Sequence, residues 1–443
     1  MESTSMKRMS ILIAAALLLA VVTRITSACP FCIAPMQTWS EMVSEADVVV
    51  LAKLISRTEG ADGQSSHAMV EVIRIQKGAA LVPEAKQLRI DDYIFGQPGD
   101  LFLLKGKLQD AGQPAFVDTF ATGYEDPVTS DSQSPIKTVS ATKLSDRSEA
   151  GVASPEAAAQ PSMAQEPKQL VWDSVERVSE AAFTYVVSAP DPSLPATERL
   201  KYFVRFLEHT DALISADAYG EFANTQYEEI AKLQELYPRE KLRAWIANKE
   251  TSPERLGLYG MLLGLCGTQE DALFLRRQIG QPVNDDLRFG VEGLMGGLLL
   301  LERENGLKFL EETRFNTPGV SAMECFALVQ ALQFVYAYEP DLFSKQRLRS
   351  SMHPMISHPE MREIVIRNLA RWEDWDVVAQ LGGTYEKCKI DDPQTAAAVT
   401  GFLLTCQKSD TATEAQKTTA VELLDVIRAD NPRLVKTTER QIR

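Results

Sequence analysis

Two cysteines separated by two residues are the first candidates for chemistry in this chain. Cys29 and Cys32 enclose Pro30-Phe31, and a Cys-x-x-Cys pair at a helix start can cycle between dithiol and disulfide. A thioredoxin-like pair follows a core strand, whereas this pair precedes the first predicted strand. Ile33 stands where haem attachment requires histidine. The pattern favours a structural disulfide that pins the N-terminal segment onto the following β-domain, and thiol–disulfide exchange is the alternative.

The other four cysteines lie far apart in a region of helical periodicity. Their spacing is not that of a zinc site. Cys388 and Cys406 are candidates for a second disulfide across an antiparallel helix pair. Buried free thiols are the alternative interpretation of the same two residues.

Histidine and the known catalytic motifs give little support to an enzyme. His353 and His358 resemble a ligand pair, but Pro354 and Pro359 prevent the helix that would align them, so a surface loop is expected. The sequence contains no His-Glu-x-x-His, Gly-x-Ser-x-Gly, P-loop or dinucleotide-binding motif. We therefore predict no catalytic residue, no cofactor and no metal ligand.

Two clusters of polar and aromatic residues have both a functional and a structural interpretation. Carboxylates around Tyr219 would suit a hard cation such as calcium, although a solvated helix face is the usual meaning; they are Glu208, Asp211, Asp217 and Glu221. Arg371, Trp372 and Trp375 form a candidate partner-binding patch, since tryptophans three apart share a helix side. Core packing is the alternative for the tryptophans.

The first residues predict export from a bacterial cell. Lys7 and Arg8 precede an apolar run at 11–22, and the small residue Ala28 completes the pattern of a signal peptide at 1–28. An extracytoplasmic location follows, whether secreted, periplasmic or anchored to the envelope. Residues 25–29 also partly match a lipobox, so membrane contact is expected only if Cys29 is lipidated or the signal stays uncleaved.

The charge of the chain restricts its partners. The formal net charge is -15, and an acidic chain repels phosphate backbones, which disfavours nucleic acid as a partner. Protein partners remain compatible with this charge.

The hydrophobic pattern divides the chain into domains. Alternation and Gly/Pro turns between 46 and 120 predict a small all-β barrel at 29–127. Residues 128–170 lack aromatic side chains and predict a disordered linker. Apolar residues at three- and four-residue spacing predict an all-α helical-repeat domain at 171–443.

An internal sequence repeat supports the prediction of a helical-repeat domain. The segment at 255–265 recurs at 288–298, an offset of about 33 residues, and three glycines hold matching positions. Each glycine costs a helix roughly 1 kcal/mol, so we expect neighbouring helices to approach closely there. A single irregular helical bundle is the alternative.

These segments resemble known families. The Cys-x-x-Cys, the strand-like runs at 46–53 and 70–78 and the Pro98-Gly99-Asp100 turn resemble the OB-fold of tissue inhibitors of metalloproteinases and netrin-like modules. The resemblance implies that the amine and carbonyl of Cys29 chelate a protease zinc ion. The chain departs from it by having Cys-x-x-Cys for Cys-x-Cys and by lacking the distant cysteines of the β-region. The helical half is similar to HEAT-like α-solenoids, which bind proteins, and the whole chain is similar to exported bacterial proteins of uncharacterised function.

The sequence therefore predicts an exported, non-enzymatic protein–protein interaction or scaffold protein of the cell envelope. One alternative is a metalloprotease inhibitor acting through Cys29. A second alternative is a thiol–disulfide oxidoreductase using Cys29 and Cys32.

Overall fold

The computed structural model describes residues 28–32, 37–58, 67–82, 86–91, 94–110, 168–281 and 288–442. It divides into two compact units: Met42–Val187 forms one, and Met1–Glu41 with Ser188–Arg443 forms the other. The predicted signal peptide up to residue 27, and the predicted linker up to residue 167, lie outside the described residues.

The first unit is built on a five-stranded antiparallel sheet with the strand order β3-β2-β1-β4-β5, curled into a half-barrel. Its strands are β1 (Val48–Thr58), β2 (His67–Lys77), β3 (Gln87–Ile90), β4 (Leu101–Asp110) and β5 (Lys168–Arg177). Register shifts interrupt the β1–β2 pairing in three places. Such irregularities bend and twist a strand pair, which accounts for the curl.

One face of this sheet holds the core of the unit. Alternate residues of β1 point into it, namely Val48, Val50, Ala52 and Leu54, all with at most 1% exposure. On the other side the guanidinium of Arg74 lies 5.0 Å from the ring centre of Phe183, so helix α2 (Glu180–Ser188) covers the sheet there. The period-2 alternation that predicted these strands arises from this division between faces.

Strand β5 corrects the predicted start of the helical region at residue 171. Trp172 lies on β5 and pairs with Gly106 on β4, beside a register shift between Lys105 and Gly106. A Cβ on Gly106 would lie 3.2 Å from the indole of Trp172, so the glycine makes room for this ring. A ten-residue segment is short enough for pairing with a distant strand to outweigh the local pattern.

The second unit is helical. Sixteen α-helices follow β5 among the described residues, α2 to α17, and all of them except α2 lie in the second unit. Helix α1 (Trp39–Glu45) precedes the sheet. The first later helices are α3 (Ala196–Phe203), α4 (Ala212–Ala223), α5 (Tyr227–Ala231), α6 (Arg239–Ala247), α7 (Pro253–Cys266), α8 (Gln269–Ile279) and α9 (Val291–Glu302). The rest are α10 (Glu304–Leu310), α11 (Ala322–Tyr338), α12 (Lys345–Met352), α13 (Arg362–Arg371), α14 (Val378–Cys388), α15 (Pro393–Lys408), α16 (Glu414–Asp430) and α17 (Pro432–Gln441).

Alternate helices of this unit pack on one another. Helix α7 packs against α9 and α9 against α11; further along the chain, α13 packs against α15 and α15 against α17. The predicted architecture, a β-domain followed by an all-α region of repeated helices, is confirmed. Among the described residues, no helix is both long enough and apolar enough to cross a membrane.

The matching glycines of the two repeated segments form the contact between α7 and α9, as the sequence predicted. A Cβ on Gly293 would lie 2.1 Å from the carbonyl oxygen of Gly257, and one on Gly297 would lie 2.1 Å from that of Gly260. A Cβ on Gly264 would lie 2.4 Å from the Cα of Gly297. The two backbones therefore touch along a seam in which any side chain would clash.

Candidate functional site

The cysteine pair at the N-terminus forms a disulfide that packs on the helical unit. Cys29 and Cys32 are bonded with a Cα–Cα distance of 5.4 Å, and Cys29 is only 6% exposed. The backbone N–H of Cys29 donates to the carbonyl oxygen of Ala223 in α4 at 3.2 Å. The expected disulfide is present, but the expectation that it pins the segment onto the β-domain was wrong. We call residues 29–32 the N-terminal clasp.

Phe31 inserts the clasp between helices. Its ring lies 4.8 Å, centre to centre, from that of Phe334 in α11. A Cβ on Gly296 would lie 2.6 Å from the Phe31 ring, and one on Gly257 would lie 2.6 Å from the Phe31 carbonyl oxygen. Glycines of α7 and α9 thus leave space for the clasp as well as for the opposite helix.

This geometry bears on the two modifications predicted for Cys29. A lipid thioether requires the sulfur that the disulfide already uses, so the two states are mutually exclusive. The resemblance to protease inhibitors requires an accessible amine, whereas the Cys29 nitrogen is held against Ala223 within a buried residue. The clasp has the features of a packing device.

The predicted second disulfide does not form. Cys388 and Cys406 are buried free thiols, like Cys325, and Cys266 is half-buried and free. The Cys388 and Cys406 thiols lie near the carbonyl oxygens of Tyr385 and Gln416. Burial raises the pKa of all four thiols, that of Cys266 to about 11, which makes them poor nucleophiles at neutral pH.

The acidic cluster around Tyr219 has structural partners. Glu208 accepts hydrogen bonds from Arg255 and Tyr259. Glu221 is 1% exposed and pairs with Arg199 and the hydroxyl of Ser40. The backbone N–H of Trp39 donates to Asp217 at 2.6 Å, and Asp211 caps α4. In the part of the chain that the structure describes, no group of three or more histidine, cysteine, aspartate or glutamate side chains is arranged to hold a metal ion.

The tryptophans of the predicted binding patch are buried, so this prediction was wrong and the alternative of core packing holds. Trp372 is 4% exposed and Trp375 is 3% exposed. Trp372 stacks on Tyr336 with ring centres 4.0 Å apart. The helix α13 ends at Arg371, and Glu373 between the two indoles has a φ of 56°, so the two tryptophans do not share a helix side. Arg371, the third residue of the patch, ends α13 at the surface.

The two histidines lie in different surroundings. His353 begins a short 3-10 helix instead of the expected loop, and its Nε2 lies 2.7 Å from the buried carboxylate of Asp374. His358 lines an open pocket of about 250 Å³ with Arg314 and Cys325. Arg314 and Cys325 are already engaged, because Arg314 pairs with Glu324 and the Cys325 thiol donates to the Arg314 carbonyl oxygen.

A row of exposed apolar side chains is the strongest candidate for a functional surface. Leu256, Phe289 and Met323 occupy equivalent positions about 33 residues apart, at or beside the first turns of α7, α9 and α11. Phe289 is 59% exposed and Met323 is 45% exposed, while Leu256 is half-buried. We call these three residues the apolar strip.

Contacts between neighbouring helices hold the strip together. A Cβ on Gly290, next to Phe289, would lie 2.6 Å from the Cβ of Leu256. The guanidinium of Arg288 pairs at 2.7 Å with Glu324, the residue after Met323. The chain segments that carry the three residues are therefore neighbours.

Two carboxylates in the first turns of α7 and α9 have no ion pair among the described residues. Glu254 is exposed on the first turn of α7, and Glu292 is half-buried on the first turn of α9. Burial raises the pKa of Glu292, and repulsion from Glu324 raises it further. Hydrogen bonds from the backbone N–H groups of Glu292 and Gly290 lower the pKa, but they do not offset the effect of burial. The surface therefore combines apolar side chains with uncompensated negative charge.

Comparison of the chain with family models, curated proteins and solved structures gives no match in any of the three.

Sequence reasoning missed the strip because the third repeat lacks glycine. Ala327 and Ala331 stand about 34 residues after Gly293 and Gly297, and both alanines are buried. A search for small residues four apart, instead of glycines alone, identifies this third copy. Aligning the three copies then places Met323 level with Phe289.

Proposed function

We propose that this protein is an exported, non-enzymatic interaction protein whose helical region is a HEAT-like solenoid that binds a protein partner along the apolar strip. The observation that carries the proposal is the strip itself. Single exposed apolar residues are common on protein surfaces, but contiguous ones mark contact sites. Phenylalanine and methionine are also enriched in protein interfaces.

The stacking of alternate helices supports the solenoid. Each repeat contacts mainly its neighbours, so residues at equivalent positions form a continuous line on the surface. Helices α7, α9 and α11 supply three such positions. A partner that spans this line contacts several repeats at once, which is how repeat proteins bind extended segments.

The clasp supports this proposal over its two alternatives. An oxidoreductase needs a disulfide that its substrates can reach, and a metalloprotease inhibitor needs an accessible amine at Cys29. Phe31 and Cys29 are 7% and 6% exposed. Both activities would first require the clasp to leave its place between the helices.

Site-specific photo-crosslinking in cells that make the protein tests the proposal. A photoreactive phenylalanine analogue replaces Phe289 in one variant and Ile390 in the control, because Ile390 is 80% exposed but lies away from the strip, between α14 and α15. We expect a discrete protein adduct at position 289 and none at 390. No adduct at 289, or the same adducts at both positions, would refute the proposal.

A further inference from the structure

The surface beside the apolar strip has an excess of negative charge. Glu254 lies two residues before Leu256, and Glu292 lies three residues after Phe289. The starts of α7 and α9 are in contact, since a Cβ on Gly290 would lie 2.8 Å from the carbonyl oxygen of Pro253. Glu254 and Glu292 therefore lie at the adjacent starts of two packed helices.

The nearby arginines do not neutralise these carboxylates. Arg255 pairs with Glu208 at 3.1 Å, and Arg288 pairs with Glu324 at 2.7 Å. Arg314 shares Glu324 at 2.8 Å but is only 9% exposed. Together with Glu254 and Glu292, these pairs comprise four carboxylates and three arginines, so one negative charge is uncompensated. The guanidiniums are directed at Glu208 and Glu324, which leaves Glu254 and Glu292 for an incoming partner.

We propose that the partner presents a basic amphipathic segment, whose apolar side chains cover the strip while lysine or arginine side chains pair with Glu254 and Glu292. This inference rests on the proposed function and specifies the chemistry of the partner. The formal charge of -15 favours the approach of such a segment, and local pairs fix its position. An acidic or purely apolar segment would leave the carboxylates unpaired in the interface, which is costly.

A helix N-terminus also favours acidic residues without any partner, through the helix dipole. This explanation predicts that removing the two charges lowers stability and leaves binding unchanged. The partner explanation predicts that binding weakens. A single set of variants separates the two.

The test measures binding of labelled synthetic peptides to the full chain by fluorescence anisotropy. One peptide is basic and amphipathic, a second has the same apolar pattern with glutamate in place of lysine, and a third is a scrambled form of the first. The test variant carries Glu254→Gln and Glu292→Gln. The control variant carries Glu235→Gln and Glu422→Gln, two exposed glutamates elsewhere whose loss changes the net charge equally.

We expect the basic amphipathic peptide to bind best and the test variant to bind it about fivefold more weakly, as two partly exposed ion pairs would allow. The control variant should bind it like the native chain. Equal weakening in both variants, no weakening in the test variant, equal binding of the scrambled peptide or no peptide binding at all would overturn the inference. A photo-adduct at position 289 with an acidic partner would support the proposed function but would reject the inference that the partner segment is basic.

Discussion

Replacing Gly297 with alanine should separate α7 from α9. The new Cβ would lie 2.1 Å from the carbonyl oxygen of Gly260 and 2.9 Å from its carbonyl carbon. Ordinary contact begins at about 3.4 Å, so the backbones must move apart by more than about 1 Å. Both obstacles are backbone atoms, which cannot rotate away as a side chain can.

The magnitude follows from two opposing terms. Overpacking of this kind costs up to about 3 kcal/mol, while the higher helix propensity of alanine returns about 1 kcal/mol. We expect a net loss of about 2 kcal/mol in the free energy of unfolding. Gly383→Ala is the matched control, because Gly383 is also inside a helix and a Cβ there would meet nothing within 4 Å. The control should gain about 1 kcal/mol.

Urea unfolding followed by circular dichroism at 222 nm measures both variants through the midpoint of the helical transition. The midpoint should fall for Gly297→Ala and rise for Gly383→Ala. If Gly297→Ala is as stable as Gly383→Ala, the α7–α9 seam is not as tight as described and the reasoning fails.

Three further predictions concern the clasp, Glu292 and the free thiols. Phe31→Ala should cost about 3–5 kcal/mol of unfolding free energy, and the double change Cys29→Ser with Cys32→Ser about 2 kcal/mol; unchanged urea midpoints would mean that the clasp does not stabilise the helices. Because its folded-state pKa is raised, the Glu292 carboxylate destabilises the fold as pH rises above the unfolded pKa of about 4.3. Glu292→Gln should therefore raise the urea midpoint at pH 7 and leave it unchanged near pH 3, and a lower midpoint at pH 7 would contradict this. The four free thiols should react with iodoacetamide far more slowly in the native protein than in urea, and equal rates would show that burial does not protect them.

Local patterns in the sequence were sufficient for the β-strands near the N-terminus and for the α7–α9 contact. The alternation in β2 depends only on which face of the sheet each residue meets. The matching glycines of the two repeated segments predicted closely packed helices, because glycine inside a helix lowers its stability and only close packing offsets that loss. Both inferences use interactions that recur at fixed spacing.

Features that depend on distant contacts were not predictable in this way. Strand β5 pairs with β4 across the intervening residues 111–167, and the clasp docks on helices more than 190 residues further along the chain. The prediction of a tryptophan patch failed because α13 ends at Arg371 and Glu373, between the two indoles, has a positive φ. Glutamate rarely adopts this conformation, so its residue type gave no signal.

The affinity of the purified partner for the native chain and for two aspartate variants tests the central claim most directly. Phe289→Asp should weaken binding about ten- to one-hundred-fold, since burying a phenylalanine contributes about 1.5–3 kcal/mol. Ile390→Asp, at a site that is also exposed and lies away from the strip, should leave the dissociation constant unchanged. Equal dissociation constants for Phe289→Asp and the native chain would contradict the assignment of the apolar strip as the binding surface.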